Sequence, residues 1–161
     1  MRRNRFFFLA FLCFALLLTA CGRAKADREG QFPLPFAASI AGTRGELAFA
    51  AEITATAEAC TIRYTAPEAL AGLTVARTSG GGVSVWLGEF ELKDQPDAEG
   101  LLTPLDLLLS PAELAAVEEQ NGEKILTYTD GAKLILQKDG TPRAAAGNDL
   151  FFTVLEFESR P

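Results

Sequence analysis

From Phe36 onward the apolar residues of this chain recur at every second position, and that period commits it to strands rather than to a helical bundle. Successive side chains of a strand point to opposite faces. In GELAFAAEITAT the residues Leu47, Phe49, Ala51, Ile53 and Ala55 therefore share one face, and Ala48, Ala50, Glu52 and Thr54 share the other. The first set is apolar throughout and predicts a strand with one side in a core. Turn signals return every eight to twelve residues, the spacing of an antiparallel sheet of short strands. Gly80-Gly81-Gly82 separates LTVARTS from VSVWLG, and Asp130-Gly131 and Asp139-Gly140 bracket AKLILQK. Glycine accepts the positive φ of a tight hairpin turn, and Asp-Gly is a strong local hairpin signal. The closing stretch, DLFFTVLEFE, is apolar on both faces through Phe152 and Val154 and predicts a central or well-covered strand.

One region breaks the period. In LLTPLDLLLSPAELAAVEEQ, Thr103-Pro104 and Ser110-Pro111 each set an N-cap residue before a proline at the first helical position. Ser110 is followed three residues later by Glu113, the capping-box spacing, and Leu114 and Val117 share a helical face. Two short helices are expected between the hairpins, over about residues 101–120. Leu101, Leu102, Leu105, Leu107, Leu108 and Leu109 make this connection so apolar that something must cover it. The expected fold class is mainly β, an antiparallel sheet with a short helical insertion.

The first twenty residues belong to a different problem. Met1-Arg2-Arg3-Asn4-Arg5 is a basic segment, and Phe6 to Leu18 is an uncharged apolar run, suited to a signal-peptide core and short for a membrane span. Leu18-Thr19-Ala20-Cys21 then resembles the bacterial lipobox, a leucine three positions before a cysteine with small residues between. The resemblance implies cleavage before Cys21 and a covalent diacylglyceryl group on its sulfur. Two acyl chains hold a protein on a membrane where one holds it only marginally. Residues 1–20 are thus expected to be a signal, and 21–35, GRAKADREGQFPLP after the cysteine, a flexible tether. Its charged first half buries too little to order itself, and Pro33 and Pro35 favour an extended path. The domain is expected over 36–161. The location implied is the outer face of the cytoplasmic membrane or, where a second membrane exists, a periplasm-facing surface; no Asp follows Cys21 to signal retention at the inner one.

Charge and residue types narrow the chemistry. The chain has 15 basic and 21 acidic residues, and loss of Arg2, Arg3 and Arg5 with the signal leaves 12 against 21, a net of −9. Such a surface repels nucleic acid. Histidine is absent, which removes the commonest general base and metal ligand. No serine lies in a Gly-x-Ser-x-Gly elbow, and with Cys13 in the signal and Cys21 acylated, Cys60 is the one remaining thiol. Cys60 shares a strand face with Ile62 and Tyr64 and reads as a small apolar residue rather than a reactive one. Asp94, Asp97 and Glu99 lack the spacing of a calcium loop, and SGGGV lacks the Gly-Lys-Ser/Thr of a phosphate loop. No enzyme activity, resident metal or dissociable cofactor is expected.

A run of antiparallel strands with a leucine-rich helical insertion, on a chain with a lipobox, resembles the LolA-like lipoprotein fold. The contact lies in IRYTAPEALAGLTVARTSGGGVSVWLGEFEL: a strand ending in Tyr64, the turn at Pro67-Glu68-x-Leu70, then strand, turn and strand through Val85-Trp86-Leu87. The resemblance implies a strongly curved, half-open barrel with helices plugging its concave side. Members of that family include lipoprotein carriers, lipid-binding envelope lipoproteins and germination lipoproteins that act as protein partners. Two functions follow as expectations. In one, a lipid or other hydrophobic molecule lies in the concave face, with Leu101, Leu105, Leu108 and Leu109 as lid and Phe49, Ile53, Ile62, Trp86 and Phe152 as wall. In the other, the domain is a tethered adaptor for an envelope protein. A hollow behind the lid favours the first; leucines that fill the concave side favour the second.

Overall fold

The computed structural model describes residues 30–109 and 112–159. The expected signal, Cys21 and the tether up to residue 29 lie outside the described residues. Eleven strands among the described residues pair antiparallel in one sheet. They are β1 (Phe36–Arg44), β2 (Leu47–Ala55), β3 (Ala59–Ala66), β4 (Leu73–Thr78), β5 (Val83–Leu87), β6 (Phe90–Leu92), β7 (Leu114–Gln120), β8 (Glu123–Tyr128), β9 (Lys133–Leu136), β10 (Pro142–Gly147) and β11 (Leu150–Ser159). Their spatial order is β6-β5-β4-β3-β2-β1-β11-β10-β9-β8-β7. Two meanders therefore join where the first strand pairs with the last, and β6 and β7 form the open edges.

Those edges are consecutive in sequence, so the segment between them must traverse the sheet. It does so as a 3₁₀ helix (Pro96–Leu102) running into helix α1 (Thr103–Leu109). Helix α1 touches both β3 and β10. Four strand steps separate these two, about 19 Å on a flat sheet at about 4.8 Å per step. A helix about 10 Å across reaches both only if the sheet wraps around it. The expected half-barrel is thus present, curved and unclosed.

The core lies on the concave side. Phe36, Ala38 and Ile40 of β1, Phe49, Ala51, Ile53 and Ala55 of β2, and Ile62 and Tyr64 of β3 are buried on it, as the two-residue period predicts. Gly42 sets the join at the middle. A Cβ there would collide with the Phe151 carbonyl oxygen and the Phe152 Cα, so only glycine lets β1 lie this close to β11.

The hairpin turns form where the glycines place them. Gly81, Gly131 and Gly140 have φ of +84°, +85° and +86°, and the Asp130 and Asp139 carboxylates accept the backbone N–H two residues on. β11 is central, as expected, but covered on one side only. Phe151 and Leu155 on the convex side are 48% and 64% exposed.

Two expectations are corrected. The helical insertion does not extend over 101–120: it ends at Leu109, and Leu114–Gln120 is the edge strand β7. Asn121 and Gly122 both take positive φ, +55° and +81°, the pairing of a type I′ hairpin, and Gln120 sits opposite Glu123. The helix-favouring Ala115, Ala116, Glu118 and Glu119 yield to that pairing. The capping residues Ser110 and Pro111 lie outside the described residues. The tether also ends earlier than expected. Gly30 is buried against the Tyr128 and Leu126 side chains, and the Phe32 ring lies 6.1 Å from Phe36 and 5.1 Å from Phe157. Gly30 and Phe32 are thus anchored on the domain, while residues 31 and 33–35 between and after them are exposed.

Candidate functional site: an apolar concavity and its helical plug

The end of the 3₁₀ helix and α1 together present one stripe to the sheet. Leu102, Leu105 and Leu108, three residues apart, have no solvent exposure. Leu101, Leu107 and Leu109 are half-buried against the same core. Pro104 stands in the first turn, where its missing N–H leaves no bond unmade. Thr103 is itself helical, and its hydroxyl donates back to the Gly100 carbonyl at 2.7 Å rather than capping the helix as its position before the proline predicts.

Four of the five residues expected as a wall are brought together in the core. Phe49, Ile53, Ile62 and Phe152 are at most 6% exposed and pack in one cluster with Leu101, Leu105, Leu108 and Leu109. Trp86 is not part of it. Val83 and Val85 of β5 point into the core, so Trp86 lies on the convex face between Thr74 and Glu91. Parity along β5 decides this, and a run apolar on both faces, VSVWL, conceals it in the sequence. The concave space opposite α1 is occupied by leucine side chains.

Among the described residues three polar ties, none of them apparent in the sequence, hold the plug to the strands. The Tyr64 hydroxyl of β3 donates to the Leu101 carbonyl at 2.7 Å. Arg44 at the end of β1 donates to the Gly100 carbonyl at 2.7 Å. From β4, both terminal nitrogens of Arg77 meet the two oxygens of Asp106, at 2.6 and 3.2 Å. The side chains of that pair are 32% and 34% exposed, so solvent screens it and it contributes at most about 1 kcal/mol. Burying one leucine contributes about 1.5–3 kcal/mol. The leucine stripe therefore outweighs its polar ties, and the plug leaves its seat readily only when another apolar group takes its place.

Smaller hollows border this core. A crevice of about 150 Å³ beside α1 is lined by Thr103, Asp106, Leu107, Ala132 and Gly147 among others, and one of about 320 Å³ lies on the rim beside Pro35, Phe36, Ala37, Thr54, Thr56 and Glu158. The second is at the lower end of ligand-pocket volumes and away from the lid. Cys60 is half-buried on the core face, and burial pushes its thiol pKa up, away from a reactive thiolate. Asp94, Asp97 and Glu99 are exposed, and no group of ligating side chains suited to a metal occurs among the described residues.

No protein-family model and no curated protein matches the chain. Among solved structures it is similar to an uncharacterized conserved protein from Thermus thermophilus, with a TM-score of 0.55 and 16% identity over 88% of each chain. A LolA superfamily protein from Nitrosomonas europaea gives a TM-score of 0.43 and 12% identity over 86% of this chain and 92% of that one. The first shares the architecture; the second lies too low to establish a shared fold.

The two tyrosines of the chain, Tyr64 and Tyr128, both face this core, and burial pushes both phenols from 10 up to about 12. Arg44 acts against the shift at Tyr64, while Asp130 adds to it at Tyr128. Each keeps its proton to higher pH folded than unfolded, so the associated stability is fully present below pH 10 and is lost as pH rises through 12. A spectrophotometric titration of the folded chain is expected to show phenolate only near pH 12, with the urea midpoint falling from pH 10 upward. Phenolate absorbance appearing at pH 10 in the folded chain would contradict this placement.

Proposed function

We propose that the protein is an exported, lipid-anchored, non-enzymatic binding protein that takes a hydrophobic chain, such as a lipid acyl group, into the concavity the leucine plug occupies. The leucines fill the concave side, which taken alone favours the adaptor; what supports the ligand reading is that the filling is a displaceable plug, a short apolar stripe weakly tied by polar groups and joined to the sheet edges at both ends. An acyl chain gains about 0.8 kcal/mol per buried CH₂, so a chain of ordinary length can take over the contacts of Leu102, Leu105 and Leu108. The resemblance of residues 62–92 to the LolA-like family supports the same reading, and the lipobox-like Leu18-Thr19-Ala20-Cys21 supports the anchor. A chain without histidine and with a protonated, half-buried thiol favours binding over catalysis.

A specific observation favours the adaptor as the second reading. Leu87, Phe90 and Leu92 are 56%, 81% and 59% exposed on and beside the edge strand β6, which pairs only with β5, an apolar edge of the kind that accepts a partner.

Two experiments test these proposals. Replacing Cys21 by Ser is expected to leave unprocessed precursor that takes up no radiolabelled fatty acid; label entering that variant would overturn the lipobox assignment. Native mass spectrometry of the full-length chain, released from detergent after incubation with phospholipid, is expected to show lipid adducts. Arg77→Ala, which loosens the plug, should raise their occupancy by up to about fivefold, the equivalent of the tie it removes. A bare mass in both proteins would contradict the ligand reading and leave the adaptor. Trp86, on the convex face, is no reporter for this site.

A further inference from the structure

The concavity has a second cover. Over β8 and β9 the roof is the chain at Gly30, which approaches so closely that a Cβ there would collide with the Tyr128 hydroxyl and lie 2.8 Å from a Leu126 methyl carbon and 3.3 Å from one of Leu134. Gly30 adopts φ +85°, and the chain then runs to Phe32, which packs on Phe36 and Phe157. Beneath this roof Tyr128 is 3% exposed, and among the described residues its hydroxyl has no hydrogen-bond partner. Tyr64, the other tyrosine of the core, satisfies its hydroxyl on Leu101, so the two differ in a way that packing alone does not require. A buried, unmade donor is costly, whereas phenylalanine would fill the same space without that cost.

We propose that the Tyr128 hydroxyl is the donor that holds the carbonyl oxygen of a bound acyl ester at the β8–β9 end of the concavity, in a seat that the chain at Gly30 covers and must vacate for the ester to enter. The proposal rests on the ligand reading above and adds the polar end of the ligand to it. Leu126, Leu134 and the Gly30 backbone surround the hydroxyl with apolar groups, so a carbonyl oxygen arriving when the chain at Gly30 lifts would find this donor free to orient it. The same surroundings select among acceptors. Tyr128 is 3% exposed among apolar side chains, so an ionised fatty acid would have to bury its charge there, at a cost that a neutral ester carbonyl does not meet. The phenol stays protonated at neutral pH and so remains a donor.

The test uses the full-length chain in detergent with three probes: carbonyl-labelled methyl palmitate, hexadecane, and palmitate at neutral pH. Methyl palmitate bound to the native protein is expected to show its ester carbonyl stretch at lower frequency than in hexane, and to bind more tightly than palmitate. Tyr128→Phe should abolish that frequency shift and weaken methyl palmitate about 3- to 10-fold, the worth of one hydrogen bond, while leaving hexadecane affinity unchanged. Unchanged hexadecane binding also certifies that the variant is folded. A frequency shift that persists in Tyr128→Phe, or equal loss for ester and hydrocarbon, would overturn this site and leave the ligand reading intact. A native protein that binds neither methyl palmitate nor hexadecane would overturn the ligand reading and the site with it.

Discussion

The structure depends on one topological constraint: β6 and β7 follow one another in sequence yet form opposite edges of the sheet. The chain between them has to cross a face, and the concave face is the shorter path. An apolar crossing segment then becomes the core of the half-barrel, and a curved sheet becomes the shape that covers it. Curvature, plug and open edges are one solution to one connectivity problem. The same constraint fixes the plug at both ends, so it can shift on its seat without being lost from it.

Energetics assign the parts different work. The leucine stripe supplies most of the attraction between plug and sheet, because each fully buried side chain outweighs a solvent-screened ion pair. The polar ties of Tyr64, Arg44 and Arg77 instead fix register, since hydrogen bonds to Gly100, Leu101 and Asp106 hold only when the helix sits at one height. Gly42 and Gly30 permit two close approaches, β1 to β11 and the N-terminal segment to β8, that any side chain would prevent. The Tyr128 hydroxyl stands apart from this division, as it neither adds attraction nor fixes register.

How much of this was legible in the sequence follows from the range of each interaction. Alternation in GELAFAAEITAT and turn chemistry at Gly81, Gly131 and Gly140 act over a few residues, and they placed the strands and the buried face correctly. The segment Leu114–Gln120 misled because its local propensity is helical, while the pairing that overrides it runs through Asn121-Gly122 to β8. Eight of the nine expected lid and wall residues share the core; Trp86 does not, because one parity step on a doubly apolar strand sends it to the convex side. The ties from Arg44, Tyr64 and Arg77 join residues 29 to 56 positions apart and leave no local trace. Gly30, read as part of a loose tether, becomes a roof only because the fold brings β8 beneath it.

On the proposed function, plug and ligand would compete for one seat. Backbone amide hydrogen exchange of α1, followed in the full-length chain with and without a saturating acyl ester, tests it most directly. The account predicts slow exchange through residues 103–109 in the free protein and faster exchange there when the ester is bound, with the central strands β1 and β11 unchanged. Binding that leaves α1 equally or more protected would contradict it, because the ligand would then lie elsewhere and the leucines would be a permanent core.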